Sequence, residues 1–230
     1  MNLPCVLVTG SSSGIGRSVA EALLAGGWRV VGFDRSPAAV AHPGFEHVAV
    51  DLCDEVATEA AAAALPTLQA FVHAAGVLRV GALGRLQSEQ GALMWRLHVD
   101  AAQRLGNIVI PPMAEARNGR VVFIGSRVAQ GKAGRSQYAA TKAALLGLAR
   151  SWAAEVVAQG VTVNLVSPAA TQTAMLEDPA RSDAAPQLPP IGRLIRPEEI
   201  AALVAYLLSE PAAAITGQEI QICGGASLPR

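Results

Sequence analysis

The chain has 230 residues, 51% of them hydrophobic, and 18 Lys plus Arg against 18 Asp plus Glu give a formal net charge of zero with no basic run. Such a chain suits one domain with a sizeable core, and it lacks the basic face with which a nucleic-acid or membrane-surface protein meets phosphate. Cys5, Cys53 and Cys223 lie far apart without a Cys-x-x-Cys pair, which points to reduced thiols and no metal site, and the lack of a signal-peptide pattern or an apolar run near about eighteen residues sets the expectation of a cytoplasmic protein without a membrane span.

Pro4-Cys5-Val6-Leu7-Val8 is a short apolar run of the kind that forms a strand buried on both faces of a parallel sheet. Thr9-Gly10-Ser11-Ser12-Ser13-Gly14-Ile15-Gly16 follows at once, and Arg17 to Ala25 then places Val19, Ala20, Leu23 and Leu24 where they can face a sheet. Strand, glycine-rich turn and helix in this order form a phosphate cradle. Glycine removes the Cβ that would hold a pyrophosphate away, and the helix amino terminus offers N–H groups and a positive dipole end. The run Arg29 to Phe33 ends in Asp34. A carboxylate at the tip of the second strand accepts hydrogen bonds from both hydroxyls of an adenosine ribose and repels a 2′-phosphate. Arg35 beside it suits a 2′-phosphate, but the acid weighs more, which favours NAD over NADP.

Glu46 to Val50 gives a third strand leading to Asp51-Leu52, in reach of an adenine edge, and residues 55 to 66 form a short alanine-rich helix. A fourth strand from Leu68 to His73 runs into Ala74-Ala75-Gly76. Residues 87 to 110 read as a long helix with Leu93, Leu97 and Ala101 at four-residue spacing, and Pro111-Pro112 is expected to break it. A fifth strand, Val121 to Ile124, delivers Ser126. The next helix runs from Ser136 to about residue 158 and carries Tyr138 and Lys142 four positions apart on one face. A cation there stabilises the phenolate of a tyrosine that otherwise titrates near pH ~10. With Ser126 opposite, the three groups suit proton transfer to or from a carbonyl or alcohol oxygen. Val161 to Val166 is a sixth strand, and the stretch from about 169 to 195 is an irregular segment or lid over the site. Pro197-Glu198-Glu199 opens another helix, and Glu219 to Ile222 is a seventh strand. Strands alternating with helices predict an α/β fold whose parallel strands place their carboxyl ends on one edge.

Taken in order, Thr9-Gly10-x-x-x-Gly14-Ile15-Gly16, Ser126, Tyr138-x-x-x-Lys142, Asn164-x-x-x-Pro168 and Thr216-Gly217 resemble the short-chain dehydrogenase/reductase family over essentially the whole chain. The resemblance implies a Rossmann-like, doubly wound, mostly parallel seven-stranded sheet with helices on both faces, spanning 1–230 as a single domain. It also implies a homo-oligomer, dimer or tetramer, built through the helices at 87–110 and 137–158, and hydride transfer between a nicotinamide and a carbonyl/alcohol pair. Carried over residue by residue, Tyr138 is the acid/base, Lys142 lowers its pKa and holds the nicotinamide ribose, and Ser126 binds the substrate oxygen. The implied cofactor set is Gly10, Ser12, Ser13, Gly14, Ile15 and Gly16 at the pyrophosphate turn, Asp34 and Arg35 at the adenosine ribose and Asp51 and Leu52 at the adenine. Ala75 and Gly76, Tyr138 and Lys142 complete it, with Pro168, Thr171 and Thr173 along the nicotinamide side.

Three departures from the family pattern stand out. His73-Ala74-Ala75-Gly76 replaces Asn-Asn-Ala-Gly, so one strand-tying amide is missing, and His73 is expected to be a satisfied strand residue. The helix asparagine of the catalytic tetrad aligns with Asp100, which is expected to serve the proton relay, to pair with Lys142 and to shift the pH profile. Ala169 and Cys223 stand where glycine and aspartate are usual, and no mechanism attaches to them. The functional expectation is an NAD(H)-dependent oxidoreductase acting on a secondary alcohol or ketone, with a dihydrodiol, steroid, sugar or small polyol equally open as substrate. Reduction of a 3-oxoacyl thioester, chemistry that commonly pairs with NADP(H), is a competing reading. So is a dinucleotide-binding sensor or scaffold without turnover.

Overall fold

A computed structural model describes residues 3–176 and 187–229. The seven strands are β1 (Cys5–Thr9), β2 (Arg29–Asp34), β3 (Phe45–Ala49), β4 (Ala70–His73), β5 (Gly119–Ile124), β6 (Val161–Pro168) and β7 (Glu219–Ile222). They form one sheet in the order β3-β2-β1-β4-β5-β6-β7, and every neighbouring pair is parallel. The chain winds outward from β1 to β3, returns and winds the other way from β4 to β7. The point of reversal therefore lies between β1 and β4, where a crevice opens beyond the carboxyl ends of the strands.

Side-chain alternation along the strands divides the core into two layers. Cys5 and Leu7 of β1, Phe71 of β4 and Val121 and Phe123 of β5 point to one face. There they meet Ala62 of α2 (Glu55–Ala63), Leu105, Val109 and Met113 of α4 (Ala101–Glu115) and Leu145, Ala149 and Ala153 of α5 (Ser136–Val156). Val6, Val8, Val72, Val122 and Ile124 point the other way, onto Val19, Ala20 and Leu23 of α1 (Gly14–Ala25) and Ile200, Val204 and Leu207 of α6 (Pro197–Leu207). Each large aliphatic or aromatic side chain buried in these layers contributes about 1.5 to 3 kcal/mol. Phe123 is the hub of the first layer, edge-on to Phe71 at 6.3 Å and to Trp152 at 5.6 Å.

The prolines at 111 and 112 do not end their helix. The chain runs from α3 (Ser88–Trp95) through a π-helical turn at Arg96–Asp100 into α4, with Pro111 and Pro112 inside it. Two backbone N–H donors are lost there, yet Val109, Ile110 and Met113 on the same stretch are buried against the sheet, so tertiary burial outweighs local propensity. The helix closes instead through the Ala116 N–H to the Pro112 carbonyl and the Asn118 N–H to the Met113 carbonyl. At the start of α6, Glu199 accepts from the Arg196 N–H at 2.8 Å and pairs with Arg193 through two bonds of 2.7 Å, a clamp beside the first turn.

Candidate active site

A cavity of about 980 Å³ lies along the carboxyl edge of the sheet. At the end of β1, Gly10 (φ +70°) and Gly14 (φ +50°) take backbone conformations that disfavour any other residue. A Cβ on Gly10 would approach the Ala75 backbone to 2.9 Å, and one on Gly16 would overlap the Gly10 carbonyl oxygen. The turn is therefore pressed against both β4 and its own helix. Ser13 precedes α1 without a side-chain cap bond, and no acidic side chain lies in the first turn of that helix. The bare backbone and uncompensated helix end suit a pyrophosphate. Gly16→Ala is expected to cost about 2 to 3 kcal/mol of stability, as overpacking against rigid backbone does. It should also weaken dinucleotide binding by more than about tenfold, which thermal unfolding and fluorescence titration would read separately; wild-type values in both would contradict the contact.

Asp34, at the tip of β2, lines the cavity. Its Oδ2 accepts from the Ser12 N–H at 3.0 Å and its Oδ1 from the Ser36 N–H at 2.8 Å, so the carboxylate is fixed in one orientation. Ser12 is the one expected cofactor residue that does not line the cavity. Its N–H is committed to Asp34 and its hydroxyl donates to the Ser36 carbonyl at 3.3 Å, and the residue lies off the cavity wall. All the other expected cofactor residues border the cavity: Gly10, Ser13, Gly14, Ile15, Gly16, Asp34, Arg35, Asp51, Leu52, Ala75, Gly76, Tyr138, Lys142, Pro168, Thr171 and Thr173. Of the expected lid, residues 177–186 fall outside the described residues. Its two flanks join where Thr171 bridges to Ile195.

At the opposite end, Ser126 follows β5 and opens a short 3-10 turn, its Oγ accepting from the Val128 N–H at 3.2 Å. Tyr138 sits in the first turn of α5 and Lys142 one turn later. Lys142 is 5% exposed, donates to the Ile124 carbonyl at 2.8 Å, and holds its Nζ 6.0 Å from the centre of the Tyr138 ring. Burial pushes its pKa down from 10.5 to about 7. An ammonium poised near neutrality can both stabilise a phenolate and give up a proton. The motif residues Asn164 and Thr216 serve the scaffold. Asn164 donates to the Ile215 carbonyl at 2.7 Å and accepts from the Gln218 N–H at 3.1 Å, while Thr216 accepts from the Val163 N–H at 3.1 Å.

Asp100 does not line the cavity. It ends the π-helical turn, and no ion pair links it to Lys142 among the described residues. The residue this helix turns toward Tyr138 is His98, two positions earlier. Fully buried, it packs edge-on against the Tyr138 ring at 5.7 Å and lines the cavity. A chemical criterion would have chosen it from the sequence, since a neutral imidazole donates and accepts as an amide does and a carboxylate only accepts. His73 is held by Thr9 at 3.0 Å through Nδ1, while its Nε2 faces the backbone of Leu97 and His98 without completing a hydrogen bond. It is thus half satisfied rather than fully so.

Among the described residues there is no cluster of three or more His, Cys, Asp or Glu that suits a metal, and no helix long and apolar enough to cross a membrane. The enoyl-(acyl carrier protein) reductase family model matches residues 10–227. The chain is 36% identical over 233 residues to the 3-oxoacyl-(acyl-carrier-protein) reductase FabG of Vibrio cholerae, covering 95% of each chain. It is 34% identical over 240 residues to the 2,3-dihydro-2,3-dihydroxybenzoate dehydrogenase of Escherichia coli, covering 97% of this chain and 96% of the relative. A solved short chain dehydrogenase/reductase family protein superposes with a TM-score of 0.89 at 34% identity, covering 98% of each chain. Sequence, fold and cavity thus lead to one conclusion: the chain belongs to the short-chain dehydrogenase/reductase family, and is an oxidoreductase that acts on CH–OH groups with a nicotinamide dinucleotide as hydride acceptor.

Proposed function

We propose that the protein is an NAD(H)-dependent oxidoreductase that interconverts a secondary alcohol and a ketone. The observation that carries this reading is the convergence on one cavity of Asp34, held rigidly by two backbone N–H groups, with Ser126, Tyr138 and Lys142. A fixed carboxylate at the adenosine end accepts from two ribose hydroxyls and repels a 2′-phosphate. The bound nicotinamide supplies hydride exchange. Tyr138 takes the alcohol proton as the carbon loses hydride, and returns it to the carbonyl oxygen in reduction. Ser126 holds that oxygen by donating its hydroxyl proton, and Lys142 stabilises the phenolate. The described wall is mixed in character, with Leu78, Met175 and Leu188 beside Arg79 and Arg127. The reading extends to a single domain over 1–230, a lid at about 169–195, a homo-oligomer and a cytoplasmic location.

Dissociation constants for NADH and NADPH, measured by fluorescence titration at one salt concentration, test the cofactor choice. NADH is expected to bind more than about tenfold tighter, and Asp34→Ser to narrow that ratio to within about threefold, because the repulsive charge and both acceptors are lost. A second reading, reduction of a 3-oxoacyl thioester with NADPH, draws on Arg35 at the same cavity and on the name of the Vibrio relative. Preferred NADPH would favour it. Binding of neither cofactor would favour a scaffold.

A further inference from the structure

Arg127 directly follows Ser126 and opens the 3-10 turn Arg127–Gln130, which packs against α5. Ser126 pins that turn, its Oγ accepting from the Val128 N–H at 3.2 Å and its carbonyl from the Ala129 N–H at 2.9 Å. Arg127 is half-buried and lines the cavity. Its side chain makes no hydrogen bond or ion pair among the described residues. The other described arginines that leave the surface all have partners. Arg104 pairs with Glu55 at 3.2 Å, Arg120 donates to the Gly119 carbonyl at 2.9 Å, and Arg79 and Arg135 on the same cavity are engaged as well. A guanidinium keeps its charge at any ordinary pH, and drawing it out of water without an anion costs free energy. Its placement therefore points to an anion that arrives with a ligand. The dinucleotide does not supply it. The glycine turn follows β1, two strand spacings or about 10 Å from β5, and Asp34 and Arg35 at the tip of β2 are three spacings or about 14 Å away. Asp34 and Asp51, the acids on the described wall, belong to that far end too.

We propose that Arg127 sets the specificity of this site by binding the carboxylate of its substrate, a small hydroxy acid or oxo acid with an apolar body. The proposal rests on the reading of Ser126, Tyr138 and Lys142 as the alcohol/ketone site. Because Arg127 adjoins Ser126, the carboxylate lies within one side chain's length of the reacting oxygen. Leu78, Met175 and Leu188 on the same wall suit the apolar body. A planar guanidinium takes a carboxylate through two parallel bonds, which orients the substrate as well as neutralising it. A 3-oxoacyl thioester is neutral around its reacting carbon and offers Arg127 no such partner.

Calorimetric titration of the protein–NADH complex with cyclohexanecarboxylate, cyclohexanecarboxamide and cyclohexyl phosphate, at one ionic strength, reads the anion site without turnover. The carboxylate is expected to bind more than about tenfold tighter than the amide, and Arg127→Leu to narrow that ratio to within about threefold. The variant should keep its NADH affinity within about twofold and its melting temperature within about 2 °C, because the guanidinium holds nothing else in the fold. A carboxylate no tighter than the amide, a ratio that survives Arg127→Leu, or a phosphate ester preferred over the carboxylate would overturn the proposal. Where Arg127→Leu fails to fold, Arg127→Gln, which keeps a polar head without the charge, gives the same comparison. In oxidation, 2-hydroxycyclohexanecarboxylate is expected to exceed its methyl ester by more than about tenfold in kcat/KM, chiefly through KM, and Arg127→Leu to level the two. Equal use of acid and ester by the wild type, or faster reduction of the neutral acetoacetyl thioester of N-acetylcysteamine, would count against the carboxylate in the same way. Where neither ring compound turns over, the titrations decide. Full turnover by Tyr138→Phe would remove the acid/base reading alone, since the titrations still report on Arg127.

Discussion

Tyr138→Phe is expected to lower kcat by at least about a thousandfold on whichever secondary alcohol the wild-type protein oxidises fastest. It should leave the dissociation constant for NADH within about twofold. Tyr138 is half-buried on the cavity wall, and its ring makes the edge contact with His98 that phenylalanine reproduces. What disappears is the hydroxyl, the group placed to move the proton that must leave or join the substrate oxygen while the carbon exchanges hydride. General acid–base groups of this kind contribute about a hundred- to ten-thousandfold, and here no neighbouring group replaces the phenol. Lys142 is tied to the Ile124 carbonyl behind the ring. His98 is engaged at both ring nitrogens, by the Val77 N–H and by Thr141. Steady-state kinetics beside fluorescence titration and a melting curve would read the split between rate, binding and folding. Retained turnover would end the assignment of Tyr138, and loss of binding together with rate would show that the ring shapes the cofactor wall.

Acidification is expected to destabilise the cofactor-free protein strongly between pH 6.5 and about 3. Burial, and then the charge of Lys142, lower the His73 pKa from 6.5 to about 3. The unfolded chain therefore takes up a proton as pH falls through 6.5, whereas the folded state does not until about pH 3. The stability carried by neutral His73 is fully present above pH 6.5 and is lost progressively below it. The full loss is on the order of 4 to 5 kcal/mol, comparable with the whole stability of many domains, about 5 to 15 kcal/mol. His98 acts in the same direction. Lys142 repeats the slope higher up. Its pKa is lowered from 10.5 to about 7, so stability should also rise with pH across that interval. Urea unfolding at a series of pH values would show the slope, and His73→Asn, which keeps a polar partner for Thr9 without the titration, should flatten the acid part by up to about 1.4 kcal/mol per pH unit. Equal slopes in wild type and variant would rule out His73 as the source.

The parts of this protein legible in the sequence are those set by short-range periodicity. Two-residue alternation and apolar runs locate all seven strands, with β7 matching its expected bounds at Glu219–Ile222. The glycine turn after β1 follows from local backbone freedom, and Tyr138 and Lys142 share a face because four residues make about one helical turn. Strand ends that share one edge of a parallel sheet then carry Asp34, Asp51, Ser126 and Pro168 into a common cavity. What the tertiary structure decides is every feature that depends on contact between distant segments. Pro111 and Pro112 stay helical because their neighbours are buried. Ser12 gives its N–H to Asp34, twenty-two positions away in sequence. The π-helical turn sends His98 rather than Asp100 to Tyr138, through bonds to Val77 and Thr141 that lie 21 and 43 positions away in sequence. Lys142 acquires its lowered pKa only when the sheet and helices close over it. Periodicity reports which face a residue occupies, whereas desolvation and hydrogen-bond partners exist only once the faces have met.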